Sequence, residues 1–257
     1  MRSTSFVLLL CSLFSYVAAY GNLIAICSFK DQQCMKKEYE KGLRLFGPIG
    51  IPGLNIDPID PMIFKNITVP EIDGVVVTIK ECAIEGLSKC EFDRISIDLE
   101  NKLESKDIRC DELKISCEFF FDGTNSLLQN IFGTNSSSGH GNGNVKLEQL
   151  TVSLNLPVTV IKKEDGDTYI KIFEKQLRYK YDIQKAVFDI KYIFIGNKDL
   201  SQVASKFLAN NWKTLLPFFD VLVDNVLEFF TTFSKNFTTN VPSKYFIEED
   251  LSQYVTN

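Results

Sequence analysis

The sequence predicts an α+β fold in which one long C-terminal helix is wrapped in a strongly curved antiparallel sheet, and three observations predict it. Apolar residues recur with period two through the middle of the chain, they recur at helical spacing across residues 200–233, and a stiff proline-rich connector precedes both stretches. The helical stripe is too wide to be covered by one flat contact, so a sheet curled around it is the arrangement that buries it.

The elements follow in chain order. Residues 1–19 read as a secretory signal peptide: Arg2, the apolar run FVLLLCSLF (6–14), then SYVAAY with Val17 and Ala19 at the small-residue positions of a cleavage site. The run falls short of the roughly 20 residues a bilayer crossing needs, so no stable membrane insertion is expected and residues 20–257 form a single domain. Residues 30–46 are charged and helix-favouring, with Asp31 placed as N-cap and Pro48 as the stop.

The stretch GPIGIPGLNIDPIDPMIF (47–64) holds four of the chain's eight prolines and three of its fourteen glycines. Proline fixes φ and removes a donor, so neither a helix nor a central strand runs through it. Ile49, Ile51, Leu54, Ile56, Ile59, Met62 and Ile63 make it too apolar for a solvated linker, and it must lie against something.

Strands are expected at 75–80, 95–99, 150–156, 169–173, 177–183 and 188–194, where apolar and polar residues alternate. The glycine- and serine-rich run 133–144 is expected as an exposed flexible loop. Leu200 to Phe233 is expected as one helix, bent at Pro217 and about 50 Å long at 1.5 Å per residue.

Charge and cysteine usage narrow the function. Removing residues 1–19 takes Arg2 and no acid, which lowers 28 basic residues to 27 against 33 acidic ones, a formal charge of −6. Such a chain lacks the phosphate attraction that drives nucleic-acid binding. Six cysteines remain, an even number suited to an oxidising compartment: Cys27 and Cys34, close enough to close a small loop, and Cys82, Cys90, Cys110 and Cys117, which allow three connectivities. No CxxC pair occurs and His140 is the sole histidine, so neither a metal site nor a histidine-based catalytic pair is expected, and no cofactor. Asn66, Asn135 and Asn236 open glycosylation sequons. Asp57 and Asp60 read as turn chemistry before proline, and Glu248, Glu249 and Asp250 as a solvated tail.

An aromatic helical stripe inside a curled sheet is awkward to fill completely, and the leftover volume would be an apolar tunnel for a lipophile. The candidate ligand contacts are Leu54, Ile56, Phe207, Trp212, Leu215, Phe219, Leu222, Val223 and Val226, with tyrosines 179, 181 and 192 as possible hydroxyl donors.

Four landmarks in order, the Cys27 and Cys34 pair, GIPGLNIDPIDPMIF (50–64), GLS (86–88) and NNWKTLLPFFDVLV (210–223), resemble the takeout and juvenile hormone binding protein family of insects. The resemblance covers nearly the whole mature chain. It implies half of a tubular lipid-binding fold, with the proline connector packed on the end of the barrel. It also implies secretion into haemolymph or other extracellular fluid and transport of a juvenile hormone-like terpenoid, fatty acid or similar molecule. Cys82, Cys90, Cys110 and Cys117 exceed the one or two disulfides usual there. The other function class that fits is a secreted glycoprotein with a filled core, acting on a receptor or another extracellular protein; an internal apolar cavity would favour the carrier.

Overall fold

A computed structural model describes residues 25–72, 74–124, 129, 133, 136–195 and 198–256. The signal-peptide expectation and Asn135 lie outside the described residues.

Helix α1 (Gln32–Phe46) begins where expected, with the Asp31 carboxylate accepting from the backbone N–H groups of Gln33 and Cys34 at 3.1 and 3.0 Å. Cys27 and Cys34 form the expected disulfide, tying the incoming segment to the helix. The chain then runs through β1 (Met62–Ile72), β2 (Val75–Glu85), β3 (Glu91–Asp98), β4 (Leu103–Thr124), β5 (Ser136–Lys162), β6 (Thr168–Ile172), β7 (Arg178–Lys191), β8 (Phe194–Ile195) and β9 (Lys198–Asp199). The main sheet is antiparallel in the order β1-β2-β4-β5-β6, with β3 also on β4 and β7 also on β5. The long strands β4 and β5 form its spine, and each is flanked by two shorter strands laid end to end: β2 and β3 along β4, β7 and β6 along β5.

Six strands share one irregularity that lets the sheet curl. Each carries two adjacent polar residues between inward-facing apolar ones: Lys65 and Asn66, Lys80 and Glu81, Asp93 and Arg94, Asp111 and Glu112, Glu148 and Gln149, Gln184 and Lys185. The inward set changes parity there, as from Leu147 to Leu150 and from Ile183 to Ala186. Asn66 and Gln149 take positive φ at these points. Such breaks bend a strand and raise its twist, and three of them line up across β4, β5 and β7 at Asp111, Gln149 and Gln184.

The helical region differs from the expectation of one helix ending near Phe233. Helix α2 (Ser201–Asn211) is followed by a 3₁₀ turn at Trp212–Leu215 and then by α3 (Leu216–Asn240). Pro217 sits in the first turn of α3, where its missing N–H costs nothing, whereas inside a continuous helix its ring would strike the preceding turn. Helix α3 packs against β6 and β1 and α2 against β7.

The run expected as a loop is also corrected, because residues 136–144 are the first part of β5, paired with 116–124 of β4. Gly139, Gly141 and Gly143 point the same way, and a Cβ at each would meet ring or branched atoms: Phe121 at 2.7 Å from Gly139, Ile193 at 2.9 Å from Gly141, Ile190 at 3.0 Å from Gly143. Neighbouring apolar side chains fill the space the glycines leave, which is how a glycine-rich strand holds its place. The two strands expected at 177–183 and 188–194 are one, β7.

The remaining cysteines pair as Cys82 with Cys117 and Cys90 with Cys110. Cys82 and Cys117 stand directly opposite each other on β2 and β4. The acidic C-terminal segment is not a solvated tail: Ile247 and Leu251 are buried, and Glu249 accepts hydrogen bonds from the Ser28 hydroxyl and the Phe29 backbone.

Candidate functional site

The proline connector folds back on the end of α1 and packs against the far end of α3. Asn55 with φ +56° ends a 3₁₀ turn at Pro52–Leu54, and the N–H groups of Ile59 and Asp60 return to the Gly47 carbonyl. Asp60 does more than turn chemistry. Its carboxylate accepts from the backbone N–H groups of Gly86 and Ser88 at 2.9 and 3.0 Å and from the Ser88 hydroxyl, clamping the GLS turn to the connector.

Behind this end lies a cavity of about 160 Å³, roofed by α1, floored by β3, β4, β5 and β6, and walled by the second half of α3. That volume gives room for on the order of ten water-sized groups. Leu43, Phe46, Ile97, Ile108, Leu156, Leu227, Phe230, Phe233 and Phe237 make most of the wall apolar.

One part of the wall is charged. Glu104 and Lys106, at alternate inward positions of β4, pair at 2.9 Å with side chains only 6% and 8% exposed. The Tyr39 hydroxyl, reaching down from α1, donates to Glu104 Oε1 at 2.9 Å, and Lys106 Nζ lies 5.0 Å from the centre of the Tyr39 ring. Burial first, then the Glu104 charge, pushes the Tyr39 phenol well above its ordinary range, so it stays a donor. A buried pair of this kind is weak evidence for stability, since its attraction is offset by the desolvation of both charges. Glu38 of α1 lines the same cavity, accepting from the Ala25 backbone at 2.9 Å and pairing with Lys41 at 3.4 Å. Thr238 of α3 also lines it, and its Oγ1 is the buried side-chain oxygen or nitrogen without a hydrogen-bond partner among the described residues.

The structure places the nine candidate contacts outside this wall. Phe219 and Leu222 are buried in the main core, with Trp212, Leu215, Val223 and Val226 packed against it. Phe207 lies half-buried on α2. Leu54 packs with Phe233 and Phe237 on the small cluster of Phe46, Ile51 and Ile56, and Ile56 also faces an outer groove that includes Asn236. The cavity therefore opens farther along α3, from Leu227 to Thr238, than the aromatic stripe suggested. Tyr179 and Tyr181 donate to Asp224 and Asp220 of α3, and Tyr192 is exposed.

Sequence reasoning missed Tyr39, Glu104, Lys106 and Thr238. The segment LESKDI (103–108) has no apolar alternation to reveal its inner face, and the only signal was indirect: Glu104 and Lys106 pair with Leu156 and Leu154, which do alternate inward. Among the described residues no group of three or more His, Cys, Asp or Glu is placed to hold a metal, and no helix is long and apolar enough to cross a membrane.

Comparison with known proteins bears on the family and the fold. A family model described as haemolymph juvenile hormone binding protein matches residues 6–248. The crystal structure of Epiphyas postvittana Takeout 1 superposes with a TM-score of 0.76 at 20% identity, covering 87% of this chain and 99% of that one. A crystal structure of lipopolysaccharide binding protein matches with a TM-score of 0.42 at 15% identity, over 81% of this chain and 38% of that one. No curated protein sequence matches the chain.

Proposed function

We propose a carrier function for this chain, which belongs to the haemolymph juvenile hormone binding protein family: it holds one small lipophilic molecule in the cavity between α1, the sheet and α3 and carries it through an extracellular fluid. The observation that carries the reading is that cavity, a largely apolar space between α1, the sheet and α3. A filled core would have favoured an interaction protein instead.

The physical chemistry is simple. Each Å² of apolar ligand surface taken from water contributes roughly 25 cal/mol, and the phenylalanines at 46, 230, 233 and 237 supply a stiff wall to receive it. A molecule longer than the cavity would extend along α3 from Leu227 toward Trp212, where Val226, Val223 and Leu215 become its proposed contacts. Three disulfides support the proposed secretion, as does the signal-peptide pattern read in residues 1–19. Asn66, exposed on β1, and Asn236 are the proposed glycan sites among the described residues.

The test is mass spectrometry of small molecules released when the protein, secreted from insect cells and purified without detergent, is denatured. About one equivalent of a lipophile is expected. Finding none, and seeing no displacement of an apolar fluorescent probe by terpenoids or fatty acyl compounds, would overturn the carrier reading.

A further inference from the structure

We infer that the outer groove between the connector and α3 is the seat of carbohydrate attached at Asn236, and that the two N-acetylglucosamine units that begin an N-linked glycan lie in it along the helix. The inference rests on the reading of Asn236 as a glycan site and gives that glycan its place in the fold.

The groove has a volume of about 610 Å³, within the roughly 300–1,000 Å³ of clefts that hold small molecules. One wall is the connector and the start of β1, with Pro58, Pro61 and Ile63; the other is α3, with Phe229 and Phe233. Ile63 is 46% exposed, so apolar surface here lies open to solvent, and an apolar patch with a polar rim marks a place where something binds.

The polar rim belongs to α3. Asn225, Glu228, Thr232 and Asn236 follow at intervals of three and four residues, so they make one line down the helix beside the groove. From Asn236 to Asn225 that line runs about 16 Å at 1.5 Å per residue, room for two sugar rings end to end. Asn236 is half-buried at the groove, and its side-chain amide makes no hydrogen bond among the described residues, only its backbone carbonyl accepting from Asn240. Its nitrogen is therefore open for the glycosidic bond. The Asn225 amide donates to the Val221 carbonyl at 2.7 Å, which fixes its orientation and leaves its oxygen as an acceptor.

An amino sugar meets both walls. Its ring faces are aliphatic C–H groups that pack on phenylalanine and proline, and its rim of hydroxyl and acetamide groups pairs with the amide, carboxylate and hydroxyl of Asn225, Glu228 and Thr232. A free lipophile would cover the apolar wall and leave that polar line without partners. Contacts of this kind hold a free sugar weakly, but the bond to Asn236 makes the encounter intramolecular, at an effective concentration on the order of millimolar.

The test uses the full chain secreted from kifunensine-treated insect cells, whose glycans stay in the high-mannose form that endoglycosidase H cuts between the two N-acetylglucosamine units. Peptide mass spectrometry reads occupancy and cleavage at Asn236, with Asn66, exposed on β1 and absent from the groove wall, as the control. Asn236 is expected to be occupied and cut at least about tenfold more slowly in the folded chain than after denaturation, and than Asn66, since only the unseated fraction is open to the enzyme. Ile63→Ser, a change at an exposed position of the groove wall, is expected to speed cleavage at Asn236 about threefold and to leave Asn66 unchanged. An occupied Asn236 cut equally fast in the folded and denatured chain would overturn the inference, keep Asn236 as a glycan site, and leave the groove to another occupant such as a lipophile or a partner protein. A bare Asn236 would remove both, and either result leaves the carrier reading standing.

Discussion

Asp60 shows how much one side chain can carry in this fold. Its carboxylate gathers two backbone N–H groups and a hydroxyl from residues 86–88, so it clamps the two segments just beyond the end of the β1–β2 ladder, where Met62 pairs with Ile84. Asp60→Asn keeps the size, removes the charge and sets an NH₂ against donors; it is expected to destabilise the chain by about 2–4 kcal/mol in chemical denaturation, whereas Ser88→Ala should lose about 1 kcal/mol. Equal, small losses would show that the clamp is idle. Tyr179 and Tyr181 allow a pH test. Burial first, then the carboxylates of Asp224 and Asp220, raises both phenols above the ordinary tyrosine range. The folded chain therefore keeps protons that an unfolded tyrosine gives up near pH 10, and the stability they add is present below that pH and lost as pH rises past it. The unfolding midpoint of the Tyr179→Phe/Tyr181→Phe variant should fall less between pH 9 and pH 11 than that of the parent. Parallel falls would mean that these bonds do not anchor α3 to β7.

At the level of elements, the glycine-bearing start of β5 is the least expected feature and the easiest to probe. Gly141→Val would bring a Cβ within 2.9 Å of Ile193 and 3.2 Å of Phe119 and is expected to destabilise by about 1–3 kcal/mol. Asn142→Ala, on the exposed face of the same strand, should stay within about 0.5 kcal/mol. Similar values for the two in thermal unfolding would return this run to a loop. The positions of β2, β3, β6, β7 and the second half of β5, the α1 cap at Asp31 and the change from period two to helical spacing near residue 200 were legible in the sequence, because each is a local pattern; β1 and β4, whose alternation is broken by polar or proline residues, were not. The polar pairs that crease the strands were written there too, at Glu148 and Gln149 or Gln184 and Lys185. Their meaning was hidden, since an interrupted alternation looks like a strand end until a neighbour is seen to bend with it.

For the whole molecule, the proposed carrier function depends on the void between the α1 roof and the sheet. Gly42 stands in that roof, and a Cβ added there would meet nothing within 4 Å. Gly42→Leu should raise the stability of the unliganded chain by about 0.5–1 kcal/mol through helix propensity, while weakening binding of an apolar probe about tenfold by occupying space. A variant that is more stable and binds equally well would place the ligand elsewhere, with the outer groove between the connector and α3 as the next region to examine.

By itself the sequence determined the passage from an N-terminal helix through antiparallel strands to a C-terminal helical region, the Cys27 and Cys34 bridge, and the need to cover an over-wide apolar helix with a curved sheet; β1, β4 and the first part of β5 were not among the strands it announced. Tertiary structure alone decided the pairing of Cys82 with Cys117 and Cys90 with Cys110 and the position of the cavity. It also decided that Glu104 and Lys106 face inward. The physical reason is that side-chain periodicity is local, whereas register is set between segments dozens of residues apart, and a slip of one residue along β4 would turn that ion pair out to solvent.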